Sequence, residues 1–124
     1  MINFIKRFQL MSKVEVFICG LSKNNLNSLK KNIDFILLFN NKSKFRNVNL
    51  LVVDSNSVDG SKEFLNKVSK TNNFVNVIHK DDLNLVTSRV ERIKICRNLC
   101  LNYIERNSKT NSVVYIPFDS DFFV

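Results

Sequence analysis

The chain has no alanine or tryptophan, and only two glycines, one proline and one histidine in 124 residues. Glycine and proline are too sparse to make a flexible linker, and no repeat or low-complexity segment interrupts the pattern. No run approaches the roughly 20 apolar residues of a membrane span. No block of about five or six like charges occurs either. Cysteine is confined to Cys19, Cys96 and Cys100, an odd number without paired spacing, which argues against a disulfide framework. Cys96 and Cys100 are one helical turn apart with no second half of a ligand set elsewhere, unlike a zinc site. The three read as core thiols of a protein in a reducing compartment.

What is present suits a folded domain. Hydrophobic residues make up 44% and charged residues 24%, and a chain of this length forms one domain. Asparagine, lysine, isoleucine and phenylalanine are abundant, as AT-rich coding would favour, so part of the lysine content is compositional. The net charge of +8 suits a polyanionic partner or simply a solvated surface. The lysines are scattered, and no nucleic acid is expected. Residues 1–12 read as a leader that is short and mixed, without a cleavable signal; they form at most a basic amphipathic turn against a membrane. The expected location is cytoplasmic, with peripheral placement at a membrane surface as an option.

Hydrophobic periodicity orders the rest. Val14 to Cys19 is a β-branched run ending at Gly20 and predicts a strand. Leu26, Leu29, Ile33 and Leu37 recur at helical steps, with Ser22 or Asn24 as N-cap. Val48 to Asp54 is apolar nearly throughout, as buried parallel strands are. Asp59-Gly60-Ser61 turns into a helix carrying Phe64, Leu65 and Val68. Phe74 to His79 alternates as a third strand. Ser88 and Glu91 have capping-box spacing and open a helix to about Arg106. Val113 to Phe118 is the fourth strand, and Pro117 places it at an edge or a strand end. The order β-α-β-α-β-α-β predicts an α/β fold with a mostly parallel sheet and helices on both faces. Ligands then bind at the carboxyl ends of the strands. The loops there are Gly20 to Asn24, Asp54 to Ser61, His79 to Thr87 and Asp119 onward.

Within the last helix, Val86, Val90, Ile93, Cys100, Leu101 and Ile104 fall in one arc of roughly 100°. Arg97 falls inside it. A core-facing guanidinium needs an anion or acceptors. It either pairs with a core carboxylate, snorkels outward, or supports the aspartates after the fourth strand. Asn98 beside it is placed to fix a loop by donating and accepting hydrogen bonds. Asp54 ends a buried strand, where a carboxylate is costly without a partner. Ser57 and Asp59 suit capping of the next helix, and Gly60 allows the turn. Asp119 and Asp121 repel one another unless a cation lies between them. Oxygen-only ligands favour Mg²⁺ or Mn²⁺. His79 suits a structural or solvent role.

The string Asp54-Ser55-Asn56-Ser57-Val58-Asp59-Gly60-Ser61, the tripeptide Cys96-Arg97-Asn98 and the terminal Asp119-Ser120-Asp121 occur in an order that resembles a GT-A glycosyltransferase of the family 2 style. The likeness covers about residues 13–124. Ser55 stands where the family usually has a second Asp, and Ser61 where it has Thr. The stretch from Ser88 to Ile104 is also similar to mannosyltransferase-like families with an Arg-Asn helix before the metal motif. The resemblance implies a Rossmann-like half domain that binds a UDP- or GDP-linked nucleotide-sugar, with Gly20, Leu21 and Ser22 under the nucleotide. It implies that Asp54, with Ser57 in the same motif, contacts the nucleobase. It places Arg97 near the diphosphate or metal loop, and has Asp119 and Asp121 bind ribose and metal. The acceptor, whether glycan, lipid or protein, and the catalytic base belong in the family to a later half. A partner chain or downstream segment is therefore expected to supply that half. Two rivals remain. One is a nucleotide- or partner-binding α/β fragment without turnover. The other is a haloacid-dehalogenase-like phosphatase, where Asp119 would be nucleophile and Asp121 general acid. That motif normally has Thr or Val where this chain has Phe123.

Overall fold

The computed structural model describes residues 11–119, Asp119 by its backbone. Its elements are β1 (Glu15–Ser22), α1 (Leu26–Lys42), β2 (Asn47–Asp54), α2 (Ser61–Thr71), β3 (Val75–His79), a 3-10 turn (Asp81–Leu85), α3 (Arg89–Asn107) and β4 (Val113–Asp119). The strands form one all-parallel sheet in the order β3-β2-β1-β4. The expected α/β alternation is therefore the architecture, and β4, with Pro117, is an edge strand.

Alternation along the two central strands builds two cores. Val16, Ile18, Leu50 and Val52 point to one face, under Leu29, Ile33 and Ile36 of α1 and Leu65 of α2. Phe17, Cys19, Leu51 and Val53 point to the other, under Cys96, Cys100 and Ile104 of α3 and Leu83 of the 3-10 turn. Covering both faces is why β1 and β2 read as continuous apolar runs. β2 and β3 add to one side of β1, and β4 to the other. The strand order thus reverses between β1 and β4, giving the switch point of a Rossmann-like half domain.

Three expectations need correction. Arg97 is exposed, because α3 seats on the sheet through Cys96, Cys100 and Ile104, flanked by Ile95, Leu99 and Tyr103. Val90 and Leu101, assigned to the buried arc, are exposed with it. Gly20 to Ser22 is not a loop but the end of β1. Neither Ser22 nor Asn24 caps α1: the N-cap is Asn25, which makes no side-chain cap bond.

At the amino end of the sheet, Glu15 is a buried carboxylate at 1% exposure. Its Oε1 accepts from the amides of Lys109 (2.6 Å) and Thr110 (2.8 Å) and from the Thr110 hydroxyl (3.2 Å). This ties the α3–β4 turn to β1.

Candidate functional site

Register puts the candidate residues on one line. At the carboxyl edge Ser22 pairs with Asp54, and Asp54 with His79, while Leu21 pairs with Asp119 on the opposite side. The ends of all four strands therefore meet across the switch point.

Gly20 is required there by close approach. A Cβ at this position would run into the Phe118 carbonyl and lie 2.7 Å from the Phe118 ring carbons. Only glycine lets the Phe118 ring cover β1 beside the strand crossover. Ser22 is fully buried, and among the described residues its Oγ has no hydrogen-bond partner. A buried hydroxyl without an acceptor is unusual; here it faces the same edge as Asp54.

Asp54 is also fully buried. Its Oδ1 accepts from the Ser57 hydroxyl at 2.6 Å and its Oδ2 from the Ser57 amide at 3.1 Å. Both carboxylate oxygens thus hold the loop that follows, rather than facing solvent. Ser57 does not cap α2 as expected. Its Oγ instead accepts from the Asn24 amide at 2.9 Å, and Asn24 Oδ1 accepts from the Val58 amide at 2.8 Å. Asn24 and Asn56 adopt φ of 49° and 51°, the left-handed region that Asn tolerates better than most side chains.

Asp59 stands one residue before Gly60, the N-cap of α2, and holds the first residue of the helix: Oδ1 accepts from the Ser61 amide (3.1 Å) and hydroxyl (2.6 Å). It also serves α1, with Oδ2 accepting from the Leu26 amide at 3.0 Å. Burial of this group acts to raise its pKa, but the Ser61 hydroxyl and the backbone amides outweigh it and hold it below its ordinary value. One carboxylate thereby terminates two helices at the positive ends of their dipoles. Gly60 precedes α2 at φ 96°.

Two lysines unforeseen from the sequence close the same edge. Lys23 Nζ donates to the Ser55 carbonyl at 2.9 Å. Lys62 Nζ donates to Asn56 Oδ1 at 2.8 Å and pairs with Asp81 at 3.1 Å. Arg92 donates to the carbonyls of Val86 (2.7 Å) and Thr87 (3.0 Å), folding the loop before α3 back on its helix. The half of the Ser88–Glu91 capping box that the structure shows is the Glu91 amide donating to Ser88 Oγ at 3.3 Å. His79 pairs with Asn66 Oδ1 at 3.0 Å, a structural role. Arg97 lies about 12 Å down α3 from its first residue, at 1.5 Å per residue. Its charge acts on Tyr115, whose pKa burial and the nearby cysteines push up to about 12 and Arg97 draws down.

The structure thus brings Ser22, Asp54, Ser57 and the Asp119 backbone to one edge. It leaves Arg97 exposed on α3. Asp121, with Ser120, Phe122, Phe123 and Val124, lies outside the described residues. Among the described residues no three His, Cys, Asp or Glu side chains meet in a group that could hold a metal ion. No described helix is long and apolar enough to cross a membrane. Against known proteins, no family model matches the chain, and no curated protein does.

Proposed function

We infer that this chain is the donor-binding half of a GT-A-like glycosyltransferase, which takes a UDP- or GDP-linked sugar at the carboxyl edge of its sheet. One observation carries the reading: the Asp54–Ser61 loop and the Asp119 strand end flank the β1–β4 switch point, where doubly wound sheets take nucleotides. The Ser22 hydroxyl at that edge has no partner among the described residues and would be a donor for a ligand that reaches it. Asp54, enclosed and bound to Ser57, acts here by shaping the loop. Lys23 and Lys62 add positive charge beside it.

Asp119 and Asp121 offer oxygen donors only, which fits Mg²⁺ or Mn²⁺. Such an ion, when bound, neutralises charge on a departing diphosphate. The chain's own contribution is to bind and orient the nucleotide. An acceptor half, from a partner chain or a further segment, would supply the base. The cytoplasm, at or near a membrane surface, is the proposed location.

The test is the melting temperature with Mn²⁺ plus UDP, and separately GDP, in the wild type and Asp121→Ala. Ligand at ten times its Kd adds about 1.4 kcal/mol, a rise of roughly 3–6 °C for a domain of this size. A rise that needs Mn²⁺ and disappears in Asp121→Ala supports the reading. No rise with either nucleotide, in folded protein, removes it and leaves a partner-binding module. The mutual satisfaction of Asp54, Ser57, Asn24 and Asp59 would suit that second reading, since such a loop is complete without a ligand.

A further inference from the structure

α1 carries an apolar stripe that the described residues leave exposed. Its buried side is Leu29, Asn32, Ile33 and Ile36. On the opposite side Lys31, Phe35, Leu38 and Lys42 follow one another at steps of four, three and four, a single line along the helix surface. Phe35 is 67% exposed and Leu38 50%. Asp34, a residue from that line, is the acidic group of α1; Lys30, Lys31, Lys42 and nearby Lys44 are all exposed.

The stripe continues into a groove of about 390 Å³ between α1 and β4, walled by Phe35, Phe39, Ile116, Pro117 and Phe118 with Lys31 at its rim. Val114 and Ile116 on the same side of β4 are 43% and 40% exposed. Phenylalanine and leucine standing proud of a helix, bracketed by lysines, form the interfacial pattern of a helix lying on a charged surface.

Charge decides the occupant. A second copy carries the same +8, and an isologous contact through this face would bring Lys31 and Lys42 against their own images. Strand addition at β4 is impaired by Pro117, which has no amide hydrogen to donate. An acidic helix seated in the groove would cover Phe35, Phe39 and Ile116, yet Leu38, outside the groove and 50% exposed, would stay in water with Lys42 beyond it. A bilayer with acidic headgroups satisfies both halves of the pattern at once: apolar tips enter the headgroup–acyl boundary while lysines meet phosphate and carboxylate. We propose that the Lys31–Phe35–Leu38–Lys42 stripe of α1 docks this protein on an anionic membrane surface. The groove runs up to Phe118 beside the carboxyl edge, but the docking stripe is argued from exposure and charge on α1 and does not depend on the nucleotide reading.

The test is co-sedimentation of the full chain with vesicles of phosphatidylcholine alone and with about 30% phosphatidylserine. Binding is expected to the acidic vesicles, at least ~10-fold tighter than to neutral ones and weakened by salt. Phe35→Ser/Leu38→Ser and Lys31→Glu/Lys42→Glu should each lower it by ~10-fold or more. Lys67→Glu/Lys70→Glu on α2 changes net charge equally and should lower it by less than about 3-fold. Because the chain has no tryptophan, Phe35→Trp supplies a single tryptophan, excited selectively over the two tyrosines, whose emission should shift to the blue on binding. Urea melts of each variant confirm folding. Absent binding, equal binding to neutral vesicles, equal losses in the two charge pairs, or bound Phe35→Trp with unshifted emission would each overturn the proposal. So would self-association through the stripe in place of vesicle binding.

Discussion

Gly20, Asp54 and Glu15 each do something that no other side chain at their position would do. A methyl group at Gly20 meets the Phe118 carbonyl and ring, so Gly20→Ala should destabilise the fold by about 1–3 kcal/mol. A urea midpoint equal to wild type would mean that β4 shifts freely. Asp54→Ala strands the Ser57 amide and hydroxyl in a buried loop. A loss of about 1–3 kcal/mol is expected, with Asp54→Asn milder because it keeps an acceptor oxygen. Equal losses in the two variants would show that charge, and not hydrogen bonding, holds the loop. Glu15 adds a pH dependence. Burial pushes its pKa up, but the Lys109 and Thr110 amides and the Thr110 hydroxyl more than reverse this and leave it below the ordinary value. An unfolded glutamate titrates near ~4.3. A group lowered on folding contributes stability that is fully present above the unfolded value and is lost as pH falls through the folded one. The urea midpoint should therefore drop as pH falls below about 4.3, and Glu15→Gln should flatten part of that drop. An unchanged slope would assign the acid sensitivity to other carboxylates.

The seating of α3 separates what a sequence can specify from what packing must decide. β1 and β2 were readable because both their faces are covered, and α1 because Leu29 and Ile33 repeat on one side against a polar back. The α/β order followed from the same signals, while Pro117 left β4 at an edge or a strand end, and the sheet order makes it an edge. Apolar residues surround most of α3, however: Val90, Ile93, Ile95, Leu99, Leu101 and Ile104 share no single narrow arc. Periodicity alone could not choose between faces, and the small buried thiols of Cys96 and Cys100 gave little weight to the correct one. Arg97 was misplaced for that reason. The site was readable only at its strand ends. Asp54 was singled out as needing a partner, but the bonds of Asn24 to Ser57 and Leu26 to Asp59 join residues 33 apart, and no local spacing announces them. The seating itself is testable. Ile104→Ala, on the buried side, should cost about 2–4 kcal/mol, whereas Leu101→Ala, half exposed, should stay within about 0.5 kcal/mol. A reversed order in denaturant melts would restore the arc that places Arg97 inside.

The cysteines report on how the layers hold together. Cys19 lies on the central strand β1, and Cys96 and Cys100 on the helix above it; all three are buried and free. Cys19 is raised by its hydrogen bond to Cys100 and by burial, which keeps it protonated and slow to react. Reaching any of the three sulfurs means lifting α3 from the sheet, and Phe17 against Tyr103, an edge-on pair 6.3 Å apart, must part in the same step. An aromatic thiol reagent should therefore label none of the three quickly in native protein and all three in urea. If β1 and α3 separate only when the domain opens as one unit, the three should react at a single rate set by the global unfolding equilibrium. Reaction of all three faster than the global unfolding equilibrium allows is not expected. It would show that α3 detaches while the β3-β2-β1-β4 sheet stays closed, and that the two cores are held independently.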